Sequence, residues 1–119
     1  MEIPIITTEE LKTAIDNKEP LTIIDVRRKE ELVHGMIPTA KNIPLDELEK
    51  SLTLSEEEFQ KTYNFPKPKK DDRIICHCRS GGRSERAVDF LLKNRFTNTK
   101  NYKGSILAWS EIDSNVKMY

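Results

Sequence analysis

The stretch that most constrains this chain is Ile74-Ile75-Cys76-His77-Cys78-Arg79-Ser80-Gly81-Gly82-Arg83-Ser84. An apolar run closes on a thiol, a glycine turn follows, and Ala87, Val88, Phe90, Leu91 and Leu92 then recur at helical spacing. The pattern reads as strand, tight loop and helix, with Cys78 at the hinge. The first turn of a helix leaves N–H groups unpaired and presents the positive end of the helix dipole, which favours a thiolate in front of it. Gly81 and Gly82 let the backbone curl so that consecutive N–H groups converge on one centre, an anion-binding nest. Arg79 and Arg83 add positive charge in the same turn, so the Cys78 thiol is expected to fall from about 8.5 into the range of about 3.5–7.5 found at such sites. Cys78 reads as a nucleophile, set against the alternative of a buried structural cysteine.

The rest of the chain frames that loop. Its 119 residues suit one hydrophobic core, so residues 1–119 are expected to form a single domain. The net charge is zero with 34% charged residues, which argues against general nucleic-acid or anionic-membrane binding. Arg79, Arg83 and Arg86 make a local positive focus suited to a small anion. Apolar runs of four or five residues fall far short of the ~20 needed to cross a bilayer. The start Met1-Glu2-Ile3-Pro4 has neither signal-peptide nor transit-peptide character, so a cytoplasmic address is expected. Cys76 and Cys78 are too close for an unstrained disulfide, and both are expected to be reduced.

In chain order, Thr7 and Glu10 form a capping box ahead of a first helix that stops at Asn17-Lys18-Glu19-Pro20. Leu21 to Val26 is a compact strand that needs cover on both faces. Arg28 to His34 reads as a short helix ended by Gly35. Pro38 and Pro44 frame an irregular segment, Leu45 to Leu52 a brief helix, and Ser55 with Glu58 caps another that carries Phe59 and Tyr63. Residues 64–72 are proline-broken and charged, a surface connection. Beyond the loop come a helix over Arg83 to Lys93, a short strand over Thr99 to Tyr102 and a closing helix over Ile106 to Ile112, with Trp109 facing inward. The alternation predicts an α/β fold, a parallel sheet of about five short strands flanked by helices on both faces. In such sheets ligands bind beyond the carboxyl ends of the strands, where Cys78 falls.

The loop resembles two known cysteine loops. His77-Cys78 matches the start of the protein tyrosine phosphatase signature, but Arg83 arrives after four residues instead of five. Cys78-Arg79-Ser80-Gly81-Gly82-Arg83-Ser84 resembles the shorter rhodanese loop, whose narrower cradle fits the single outer sulfur of a persulfide. Ile23-Ile24-Asp25-Val26-Arg27, the segment from His34 to Pro44, and Tyr102 to Trp109 resemble further rhodanese motifs in the expected order, over residues 21 to 110. Met36, Thr39 and Ser105 depart from the family's usual His, Gly and Gly, and the nearby His34 is either a displaced family histidine or unrelated to it.

The resemblance implies a single-domain, thiosulfate-sulfurtransferase-like rhodanese. Cys78 would be the catalytic residue and Arg79, Ser80, Gly81, Gly82, Arg83 and Ser84 the substrate-binding loop. Asp25 and Arg27 would serve as structural support for the core strand and loop. Arg83 is expected either at the substrate or orienting Ser84 or Glu85, and a basic Arg79 directly after the cysteine goes with thiosulfate as donor. The implied reaction is ping-pong transfer of sulfane sulfur from a small anionic donor, through a Cys78 persulfide, to a thiol (glutathione or a thioredoxin-like protein) or to cyanide. No metal or organic cofactor is expected. Cys76 and Trp109 read as core residues, and His77 has no expected catalytic role. Two other classes stand beside this one: a cysteine-based phosphatase or arsenate reductase relative, and a rhodanese-like interaction module without chemistry.

Overall fold

A computed structural model describes residues 2–119. Helix α1 (Thr8–Asp16) opens with the expected box: Thr7 Oγ accepts from Glu10 N–H at 3.1 Å, and the Glu10 carboxylate accepts from Thr7 N–H at 2.9 Å. Strand β1 (Thr22–Asp25) leads through a 3₁₀ turn (Lys29–His34) to β2 (Lys41–Asn42), α2 (Leu45–Ser51) and α3 (Glu56–Tyr63). Strand β3 (Ile74–His77), α4 (Gly82–Lys93), β4 (Thr99–Asn101) and α5 (Ser105–Trp109) complete the chain. The cap of α3 is half of the expected box. Ser55 Oγ accepts from Glu58 N–H, while the Glu58 carboxylate meets the Ser55 hydroxyl instead of its N–H.

The sheet is wholly parallel in the order β2-β1-β3-β4. It has four strands where about five were expected. Ile5 comes nearest to a fifth, with one isolated parallel bridge to Asn101. The ladder cannot grow there: Pro4 accepts from Asn101 N–H but has no N–H to give, and Thr7 is already committed to capping α1. Strand β2 lies inside the segment read from sequence as irregular, and two residues between prolines leave no periodicity to detect. Helix α5 stops at Trp109, short of the expected Ile112, where Asp113 turns back to accept from the indole N–H at 2.9 Å.

Strand alternation sorts the core into two layers. Ile24, Ile74 and Cys76 point to one face with Phe59, Ala87, Val88 and Leu91. Ile23 and Ile75 point to the other with Leu11, Tyr102, Ile106 and Trp109. Helices therefore cover both faces, and the central strands β1 and β3 place the peptides after Asp25 and His77 side by side at one sheet end.

Asp25 and Arg27 are both completely buried. The guanidinium donates to both carboxylate oxygens at 2.7–3.1 Å, to the Gly35 carbonyl at 2.7 Å, to the Glu31 carbonyl at 3.3 Å and to the Tyr119 hydroxyl at 3.1 Å. Removing one partner of such a pair strands a buried charge. Arg27→Ala is expected to cost about 3–5 kcal/mol of stability, read by chemical denaturation.

Candidate active site

Cys78 sits one residue beyond β3 and faces the first turn of α4. Its Sγ accepts from Gly81 N–H at 3.1 Å and lies 3.5 Å from Ser84 Oγ. Burial pushes the thiol up, but the Ser84 hydroxyl and the N–H groups of Ser84, Gly81 and Ser80 outweigh it and hold its pKa below the ordinary thiol value. Cys76, two residues earlier on the same face, has no such donors, and burial pushes its thiol up to about 12. Two thiols two residues apart thus differ in acidity, distinguished by the N–H groups of the turn.

The two glycines are not equivalent. Gly81 has φ +100°, and a Cβ there would stand 2.4 Å from the Lys103 carbonyl oxygen. Gly82 is already the first residue of α4, and a Cβ on it would meet nothing within 4 Å. The curl expected of both belongs to Gly81 alone.

Ser84 is buried and makes three polar approaches with one proton: 2.6 Å to Asn101 Oδ1, 3.1 Å to the Gly81 carbonyl and 3.5 Å to Sγ. The short contact to Asn101 suits a neutral thiol that donates its own proton toward Ser84. When the thiol ionises, the hydroxyl becomes a donor for Sγ. The Cys78 backbone is held as well, since its N–H donates to Ser105 Oγ at 3.1 Å and its carbonyl accepts from Ile106 N–H at 3.1 Å.

The arginines of the loop do not hydrogen-bond the sulfur. Arg83 makes a two-pronged pair with Glu31, at 2.5 and 2.9 Å, and neither Ser84 nor Glu85 takes its guanidinium. Arg83, the Tyr119 hydroxyl and the Arg28 N–H together lower Glu31 to about 2, against the opposing effect of burial. Arg79 donates through Nε to the Tyr119 carbonyl and lies over the Tyr119 ring at 5.2 Å, with no hydrogen bond from its terminal nitrogens among the described residues. Ser80 is exposed. Asp25 and Arg27 lie under the loop and do not touch Sγ. His77 points away from Cys78 onto the other sheet face, with Nε2 3.7 Å from Asp25 and no hydrogen-bond partner; burial holds its pKa below the ordinary value despite that carboxylate. His34 stacks on Tyr119 at 3.9 Å.

Glu31, Asn101 and Tyr119 escaped the sequence reading because each meets the loop from far along the chain. Ser105 was visible only as a departure from the family glycine. Among the described residues no group of three or more His, Cys, Asp or Glu side chains is placed to hold a metal ion.

This loop at the carboxyl end of a parallel sheet has known counterparts. The family model for the rhodanese-like domain matches residues 7–112, and the chain belongs to that family. A Schizosaccharomyces pombe protein, provisionally named a mitochondrial thiosulfate sulfurtransferase, is 46% identical over 89 residues. That match takes in 75% of this chain but only 63% of the relative's length. The human thiosulfate:glutathione sulfurtransferase is 33% identical over 112 residues, 93% of this chain and 96% of that protein. Among solved structures, the human single-domain sulfurtransferase TSTD1 superposes with a TM-score of 0.87 at 32% identity, covering 94% of this chain and 99% of that one.

Two outcomes test the geometry. Gly81→Ala is expected to disorder the loop and lower Cys78 reactivity toward iodoacetamide, whereas Gly82→Ala leaves it intact and adds about 0.4–1 kcal/mol of stability through the unfolded chain. Ser84→Ala removes a thiolate donor, so the Cys78 pKa is expected to rise when thiolate absorbance is followed against pH, with less thiolate at pH 7.

Proposed function

We propose that the protein is a thiosulfate sulfurtransferase in which residues 1–119 act as one catalytic domain. The observation that carries this reading is Cys78 Sγ at 3.1 Å from the Gly81 N–H, acidified by the turn that starts α4. In the first half-reaction the thiolate attacks the outer sulfur of thiosulfate. The new bond joins Sγ to that sulfur, the sulfur–sulfur bond of thiosulfate breaks, and its electron pair leaves with sulfite. The persulfide anion then takes the place of the thiolate, held by the N–H groups of Ser80, Gly81 and Ser84. Gly82 leaves the mouth open, and the unbonded terminal nitrogens of Arg79, with the nearby Arg83, supply the positive field for a dianionic donor.

In the second half-reaction a thiol or cyanide takes the outer sulfur and the Cys78 thiolate returns. Support comes from the names of relatives, which include thiosulfate sulfurtransferases and one thiosulfate:glutathione enzyme. Glutathione is accordingly the favoured acceptor. No helix among the described residues is long and apolar enough to cross a membrane. Two of the relatives are named mitochondrial, so they lend no weight to a cytoplasmic address. The phosphatase reading is weaker because the loop is one residue short and the Arg83 guanidinium is bound to Glu31.

Incubation with thiosulfate alone is expected to add one sulfur atom to Cys78 by mass spectrometry and to release sulfite. Thiosulfate with cyanide should then turn over with ping-pong kinetics, and Cys78→Ser should abolish both. Absence of the adduct, or turnover of an aryl phosphate in its place, would overturn the proposal.

A further inference from the structure

A groove of about 430 Å³ lies between α4 and α2, and Arg83 is its one residue from the stretch read as the cysteine loop. Its volume lies within the range of about 300–1,000 Å³ typical of small-molecule sites. Arg83, Arg86 and Phe90 line it from one face of α4, at spacings of three and four residues. Val26, Leu45 and Leu48 add an apolar floor, which the Leu45 N–H closes against the Val26 carbonyl at 3.1 Å. Arg83 joins this groove to the cysteine loop, next to the residue that lies 3.5 Å from Sγ.

The rim carries Arg28 and Arg86 with Asp46 and Glu49. All four are exposed, and among the described residues none forms an ion pair, although six Lys or Arg pairs with carboxylates occur elsewhere. Two free cations and two free carboxylates around an apolar floor match a ligand with carboxylates, an ammonium group and a methylene backbone between them. They do not match the dianionic donor, which two carboxylates would repel.

We infer that this groove is the acceptor site, and that it takes a small zwitterionic peptide thiol of the glutathione class. The assignment rests on the sulfurtransferase reading above and adds where and how the acceptor is recognised. Arg28 and Arg86 hold the ligand's carboxylates, Asp46 and Glu49 its ammonium, and the thiol reaches the loop past Arg83. The ligand's thiol passes its proton to the outer sulfur of the Cys78 persulfide anion, and the resulting thiolate bonds to that sulfur. The bond between the two Cys78 sulfurs breaks, its electron pair returns to Sγ as thiolate, and the proton leaves on the transferred sulfur.

The test compares glutathione with dithiothreitol, a neutral thiol, as acceptors in thiosulfate-driven turnover. Arg86→Ala is expected to lower kcat/KM for glutathione about five- to tenfold through KM, relative to dithiothreitol on the same variant, with Arg86→Lys recovering part of the loss. Asp46→Asn with Glu49→Gln should act in the same selective way. Equal losses with both thiols, or no loss with glutathione, overturn the assignment. A loss with a reduced thioredoxin-like protein but not with glutathione also overturns it, since the groove would then serve a protein thiol. Failure of the wild-type chain to gain sulfur from thiosulfate removes the sulfurtransferase reading and this one together, whereas failure in the glutathione arm removes this one alone.

Discussion

The fold and the site both depend on one buried cation. Arg27 has no solvent to satisfy it, so every hydrogen bond its guanidinium makes must be found inside the protein. Those bonds go to Asp25 at the end of β1, to two carbonyls of the 3₁₀ turn and its cap, and to the Tyr119 hydroxyl. Tyr119 in turn receives Arg79, and Glu31 of the same turn receives Arg83. The end of the first strand therefore positions both charged arms of a loop some fifty residues further along.

What sets Cys78 apart from Cys76 in acidity is a contrast in donors and not a contrast in burial. Cys76, in β3, and Cys78, one residue beyond it, share a face and nearly complete removal from solvent. They differ in acidity because the chain after Cys78 turns its amides back on the sulfur, while the amides around Cys76 are spent in the sheet ladder. On the proposed reading, a second sulfur on Cys78 would extend outward from this ring of donors, and a nearly enclosed thiol would pass it to an acceptor that never reaches the core.

The parts of the site that were legible in the sequence were contiguous ones. The strand, glycine and helix around Cys78 announce themselves within eleven residues, and the layers of the core follow from alternation at Ile23, Ile24, Ile74 and Ile75. Pairings over long separations left no such trace. Nothing local links Arg83 to Glu31, Ser84 to Asn101 or Arg79 to Tyr119, and the two-residue β2 exists only because β1 lies beside it. The sheet has four strands where about five were expected, and Pro4, which limits pairing beside Asn101, carries weight only once Asn101 is known to come to that edge.

Thr39 and Ser105, which stand where relatives commonly carry glycine, both keep a glycine-like backbone, with φ of +70° and +54°. At Thr39, the third residue of a turn led by Pro38, the structure records no side-chain hydrogen bond to offset that strain. Ser105 differs, because its hydroxyl donates to the Tyr102 carbonyl at 2.8 Å while accepting the Cys78 N–H. Glycine at 105 would relax the backbone yet orphan the buried amide of Cys78. The family's usual glycine is therefore not the neutral choice at 105, and glycine at 39 and at 105 would pull the protein in opposite directions.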